Sequence, residues 1–354
     1  MTESTVLAEV RNKVGHLTLN RPADLNAVDL DMVRALQQQL AAWQQDDGVS
    51  VVVLRATGER AFCAGGDIRW MYDSFKAGDG MYLSFFEEEY ALDLLIHEYP
   101  KPFLALMDGF VLGGGMGLAQ GASHRVISEH ARMGMPETGI GYFPDVGGSY
   151  FLPRLEGALG NYLGITGVHV RAADALATGL ADFCVSREQF AALDQALDSQ
   201  VWSLAAEQQL TQLLQGLAVT RLPDGEIPAM RAAIDRHFSH DSIGAILDSL
   251  ASETDPAYQQ WVKRTLASID GMSPLAMEVT LELLRQGGKL SLADCFRLEL
   301  HLDAQWFTEG DIMEGVRALI IDKDKSPQWN PPRLEDVSRA RVEAFFEGFS
   351  PVDS

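Results

Sequence analysis

The chain opens with apolar positions that alternate with polar ones: residues 6–10 and 14–19 flank Arg11-Asn12-Lys13, the pattern of two strands joined by a polar hairpin loop. After Asn20-Arg21-Pro22 the period changes. Met32, Val33, Leu36, Leu40 and Trp43 recur in steps of three and four, which places them on one helical face, with Asp29 standing where an N-cap is expected. Residues 49–54 (VSVVVL) are apolar at all but Ser50 and predict a strand buried on both faces. Residues 82–96 return to helical spacing. Residues 103–107 predict another apolar strand, which enters Gly109 and the cluster Gly113-Gly114-Gly115, and 126–127 and 132–135 predict short strands. Strand and helix alternate to about residue 185, the signature of a layered α/β domain.

From Arg187 the β-branched runs give way to Ala, Gln and Leu at helical spacing over 188–217 and 228–250. Turn signals at Leu222-Pro223-Asp224-Gly225 and Asp255-Pro256 separate helices, and 274–284, 291–305 and 312–320 continue the series. Residues 326–332 predict an extended linker before a last helix at 334–346. The expected organisation is an α/β core over 1–186, and a helical region over 187–354 that packs on the core and helps close its site.

Charge narrows the partners. Against 28 Lys and Arg stand 50 Asp and Glu, a net charge of −22 over 354 residues, which opposes long contact with nucleic acid or an anionic membrane. Cys63, Cys184 and Cys295 are far apart and match no metal or disulfide spacing, so they are expected to be reduced thiols. The first 22 residues lack the features of a secretory signal, and no stretch approaches the roughly 20 apolar residues of a membrane span. A cytoplasmic protein is the expectation.

Familiar catalytic signatures are missing: no GxxxxGK[ST] loop, no HExxH, no GxSxG, and Gly113-x-Gly115-x-Gly117 is not the dinucleotide fingerprint. Two glycine-rich segments after strands remain, Ala64-Gly65-Gly66-Asp67 and Leu112-Gly113-Gly114-Gly115. With them stands an acidic segment, Pro136-Glu137-Thr138, followed eight positions on by Asp145. Glycines at a strand-to-helix turn let a ligand approach the backbone and leave N–H groups facing outward. One such N–H from each loop would make an oxyanion hole, although tight packing explains either loop taken alone. Glu137 and Asp145 lie in a run rich in Gly, Pro and aromatics, surroundings that raise a carboxyl's pKa toward neutrality as acid–base chemistry requires.

These residues carry a resemblance. Asn20-Arg21-Pro22 with Asn26-Ala27, the segment 62–68 (FCAGGDI), Gly109 with Gly113-Gly114-Gly115, and the segment 135–141 (MPETGIG) resemble the enoyl-CoA hydratase/isomerase (crotonase) superfamily. The continuation 143–155 (FPDVGGSYFLPRL), the segment 85–90 (FFEEEY) and the late segments 314–318 and 321–327 resemble its 3-hydroxyisobutyryl-CoA hydrolase branch, so the likeness covers nearly the whole chain.

The resemblance implies a crotonase-like ββα spiral core with a C-terminal all-helical region. It puts the oxyanion donors at Gly66 and Gly114, catalytic carboxylates at Glu137 and Asp145, and substrate-binding roles at Glu89, Gly65, Asp67 and Gly113. Hydratases of the superfamily carry a glutamate three positions after the second oxyanion glycine; here Gly117 stands there, as in the hydrolase branch. The expected activity is thioester hydrolysis of a short β-hydroxyacyl-CoA, 3-hydroxyisobutyryl-CoA first. Hydration or isomerisation of an enoyl-CoA is the alternative, and a non-catalytic acyl-CoA-binding protein a further one. No cofactor and no metal are expected, since CoA belongs to the substrate, and a homo-oligomer is compatible with the superfamily. Arg21, Arg60, Arg69 and Lys101 are the candidate cations for the CoA phosphates.

Overall fold

The computed structural model describes residues 4–352. Ten strands lie among them: β1 (Val6–Arg11), β2 (Val14–Leu19), β3 (Val51–Ala56), β4 (Ala61–Cys63), β5 (Phe103–Met107), β6 (Phe110–Leu112), β7 (His124–Ile127), β8 (Arg132–Gly134), β9 (Val170–Arg171) and β10 (Phe183–Cys184). They form a six-stranded sheet in the order β1-β2-β3-β5-β7-β10 and a four-stranded sheet in the order β4-β6-β8-β9. β1 and β2 pair antiparallel from Val6 opposite Leu19 to Arg11 opposite Val14, so the hairpin loop is Asn12-Lys13 rather than three residues. Both loop residues have positive φ, 45° and 61°, the geometry of the tight two-residue turn that fits strand twist. From β2 onward the larger sheet is parallel, through β3, β5, β7 and β10.

Two compact units make up the chain. One gathers the stretch ending at Asp67 with Glu88–Met133 and Val170–Gly225; the other gathers Ile68–Glu87, Gly134–His169 and the stretch from Glu226. The first contains the larger sheet, whose apolar strands are buried on both faces as their composition demands. On one face Val14, Val51, Val53, Leu104, Leu106 and Val126 cluster with Leu193, Leu197, Leu210 and Leu214 from the helices Phe190–Ser199 and Ala206–Leu217. On the other lies the Leu30–Gln44 helix, capped by Asp29, which accepts from Met32 N–H; a Cβ on Gly15 would stand 2.6 Å from the Trp43 ring. The expected division at 186/187 therefore does not separate the units, because the helices just beyond it complete the core under the sheet. Within the helical stretch 188–217 the structure has two helices, Phe190–Ser199 and Ala206–Leu217, with Gln200 extended between them.

The second unit is mainly helical. Its Leu159–Thr166 helix is buried, with the Tyr162 ring 5.1 Å from Phe238 and 5.7 Å from Trp261. Ser273 and Ser291 cap the helices Pro274–Gly287 and Leu292–Glu309, accepting from Ala276 and Asp294 N–H. The last predicted helix is a short turn at Leu334–Asp336 followed by Arg339–Ala344. Among the described residues no helix is long and apolar enough to cross a membrane.

Candidate active site

In the first unit the two glycine segments meet. Gly65 adopts φ +107°, a conformation only glycine takes easily, as the chain leaves β4. Val28 N–H donates to Gly65 O (2.9 Å) and Asp67 N–H donates to Val28 O (2.8 Å), so both sides of Gly66 are fixed and its own N–H points the other way. Gly114 opens the helix Gly114–Gln120, and its N–H is one of those with no acceptor inside the helix. The loops touch closely: a Cβ on Gly114 would lie 3.3 Å from Gly66 N and 2.6 Å from Glu89 Oε1. A side chain at 114 would press on the Gly66 backbone and push aside the buried carboxylate of Glu89, which the Met81–His97 helix presents against it.

Asp67 also anchors this loop. Its carboxylate pairs with Arg21 (3.0 Å), which also pairs with Asp29 (3.2 Å) and donates to Ala27 O (2.7 Å), so Asp67 ties the glycine loop to the preceding turn. Arg21 is thereby committed to structure. Lys101 is committed likewise, donating to Trp43 O in the last turn of the Leu30–Gln44 helix and to Asp46 O just beyond it (2.7 Å). Burial pushes the Cys63 thiol up to about 12, with the charge of Glu89 adding to it, which leaves an inert thiol beside the loop. Sequence reading missed Asp93, buried one turn after Glu89; its signal was an acid four positions on in an apolar helix.

In the second unit Glu137 begins a single helical turn, Glu137–Ile140, and is buried, with Oε2 lacking a hydrogen-bond partner. Burial, and then the charge of Asp145, raise its carboxyl well above the usual carboxylate range. Asp145 is buried too, 3.3 Å from the Tyr142 hydroxyl, which also bonds Asp303. The Tyr142 hydroxyl has one proton, so it donates to one of the two carboxylates at a time.

The chain after Asp145 is strained. Val146 has φ +48°, rare for a β-branched residue, and Gly147 follows at +84°. What holds this turn is Glu299, fully buried, which accepts from Gly147 N–H (2.9 Å), Ser149 N–H (3.0 Å) and the Ser149 hydroxyl (2.5 Å). Burial pushes the Glu299 carboxyl up to about 8 despite these donors. Trp306 donates to Gly141 O (2.9 Å) and meets the Phe143 ring edge-on at 5.1 Å. Tyr142, Glu299 and Asp303 were not among the expected residues. Glu299 and Asp303 sit four apart among Leu298, Leu302 and Trp306, and acids on an apolar helical stripe were the available signal.

One unit brings the Gly66 and Gly114 backbones close together, and the other holds a buried carboxyl whose pKa is raised beside a second acid. Among the described residues, no three His, Cys, Asp or Glu side chains gather as metal ligands. Comparison with known proteins gives this chemistry a family. Curated relatives called "3-hydroxyisobutyryl-CoA hydrolase, mitochondrial" are 39% identical over 355 residues in Danio rerio, covering 99% of this chain and 91% of that one. The Homo sapiens protein of the same name is 34% identical over 352 residues, covering 98% and 90%. Two solved structures match with TM-scores of 0.88 and 0.86. The first is a carnitinyl-CoA dehydratase from Mycobacterium thermoresistibile (36% identical, covering 99% of this chain and 98% of that one). The second is an enoyl-CoA hydratase from Rhodobacter sphaeroides 2.4.1 (34% identical, covering 97% of each chain). The enoyl-CoA hydratase/isomerase family model matches residues 14–346, and with nearly the whole length accounted for, this chain belongs to that family and has its crotonase fold.

Proposed function

We propose that the protein hydrolyses the thioester of a short β-hydroxyacyl-CoA, 3-hydroxyisobutyryl-CoA first among them. The observation that carries this reading is a buried, charge-coupled pair, Glu137 and Asp145, with glycine rather than a second acid at position 117. The relatives named 3-hydroxyisobutyryl-CoA hydrolase support it. In its ionised form Glu137 attacks the thioester carbonyl carbon. The C–S bond breaks, CoA leaves as thiolate and takes a proton, and water then cleaves the mixed anhydride to release the hydroxy acid and regenerate Glu137. Alternatively Glu137 takes a proton from the water that attacks. On either route the Gly66 and Gly114 N–H groups donate to the oxygen as it gains charge, each worth about 3 kcal/mol of barrier. Asp145 orients the 3-hydroxyl and moves protons, and Glu89 lines the acyl pocket. CoA enters as part of the substrate, and no cofactor is invoked.

Hydration of an enoyl-CoA is the second reading, favoured by the descriptions of the two solved structures. One assay separates them. Release of free thiol from 3-hydroxyisobutyryl-CoA is the expected outcome; loss of enoyl absorbance from crotonyl-CoA without thiol release contradicts it. The 3-hydroxypropionyl ester differs by one methyl, worth only about 1–3 kcal/mol in a pocket, so it is an expected slower substrate. The relatives are named mitochondrial, whereas a cytoplasmic location is part of this reading, which cell fractionation tests.

A further inference from the structure

The glycine loops follow the C-terminal ends of β4 and β6, which run parallel. At the other end of these strands lies a row of arginines. Arg60 directly precedes β4, and its carbonyl accepts from the N–H of Phe110, the first residue of β6 (3.0 Å). Gly109 O in turn accepts from the N–H of Arg132, the first residue of β8 (2.8 Å). β8 and β9 are antiparallel, and their register sets Arg132 directly opposite Arg171. Arg60, Arg132 and Arg171 thus cross the smaller sheet in line, and all three line one cavity of about 450 Å³.

For the chain alone this row is unfavourable. Like charges directly opposite across an antiparallel pair repel. In a protein of net charge −22, moreover, the three arginines have no ion-pair partner among the described residues, whereas nearby Arg125 and Arg187 pair with Asp182 (2.6 Å) and Asp108 (2.7 Å). The acids bordering the same cavity are engaged elsewhere: Glu59 with Arg187 (3.3 Å), and Glu129 with His130 (3.3 Å) and the Arg187 N–H (2.9 Å). An anion placed in the row turns the repulsion into attraction. Guanidinium groups bind carboxylate and phosphate oxygens alike in pairs of parallel hydrogen bonds, and three guanidinium groups in a row match the several anionic oxygens of adjacent phosphates. The cavity falls within the roughly 300–1,000 Å³ usual for small-ligand sites.

We propose that Arg60, Arg132 and Arg171 form a second ligand site, for a molecule with adjacent phosphates of the nucleoside diphosphate class, separate from the thioester chemistry. A free nucleotide and the phosphorylated adenosine end of a detached CoA share this chemistry. The test is calorimetric titration of ADP and 3′-phospho-ADP into the wild type, Arg60→Ser and the double variant Arg132→Ser/Arg171→Ser, with adenosine as the uncharged control. Saturable binding of either nucleotide is expected, weakened at least tenfold in the double variant and also weakened in Arg60→Ser, with adenosine not bound. Tighter binding of 3′-phospho-ADP assigns the site to CoA, and equal binding to nucleotides generally; both support it. Since the double variant removes a repulsion, its melting temperature without ligand is expected at or above that of the wild type, and its kcat/KM for acyl-CoA within twofold. The proposal is overturned by absence of saturable binding to the wild type at millimolar nucleotide, or by unchanged binding in the variants. A raised KM for acyl-CoA in the double variant overturns it by making the row part of the substrate site. A smaller mass by light scattering does so by making it a contact between copies.

Discussion

Glu137 and Glu299 are both buried carboxyls held above their ordinary pKa, yet they are built for different ends. Burial raises both, as does the charge of Asp145, but Glu299 is surrounded by donors, whereas Glu137 has an oxygen without a partner. To attack or to take a proton Glu137 must be ionised, so activity should rise with pH through its raised pKa. Asp145→Asn removes the charge that helps to raise it and leaves burial, so the acid limb of kcat/KM should move to lower pH while the rate falls roughly 100-fold. A limb that stays in place or moves up contradicts the coupling. Glu137, Asp145 and the two glycine loops were legible in the sequence because each lies in a short segment with its own spacing. Tyr142, Glu299 and Asp303 were not, because their roles exist only through contact: Glu299 meets Gly147 from 152 positions away.

At the scale of elements, the strained turn after Asp145 depends on the Leu292–Glu309 helix for its conformation. Removing the Glu299 carboxylate leaves three buried donors without an acceptor, so Glu299→Ala should destabilise the protein by about 3 kcal/mol or more in urea unfolding. A loss below about 1 kcal/mol would show that the turn holds itself. The same group carries a pH signature. Its folded pKa of about 8 lies above the usual 4.5, so the folded state keeps a proton that the unfolded chain gives up. The stability from Glu299 is therefore complete below about pH 4.5 and is lost as pH rises toward 8, and the variant should lose this slope. Long apolar runs and helical stripes showed most elements in advance. The three-residue strands β4 and β6 were given no bounds in advance, since so short a run has no readable period; only the glycine segments after them pointed to strands there.

Across the whole molecule, the −22 charge opposes an anionic substrate, and two of the expected local cations, Arg21 and Lys101, are spent on structure. Added salt should therefore tighten acyl-CoA binding: raising NaCl from about 20 to about 150 mM shortens the screening length from roughly 20 to roughly 8 Å, and KM should fall about twofold. A KM that climbs steeply instead would mean that a strong basic site dominates. The central claim is narrower, that Glu137 drives thioester cleavage. Its most direct test is thiol release from 3-hydroxyisobutyryl-CoA by Glu137→Gln, with acyl-CoA binding measured on the same preparation. The account predicts that turnover vanishes while binding stays within a fewfold of wild type; retention of more than a few per cent of wild-type turnover would contradict it.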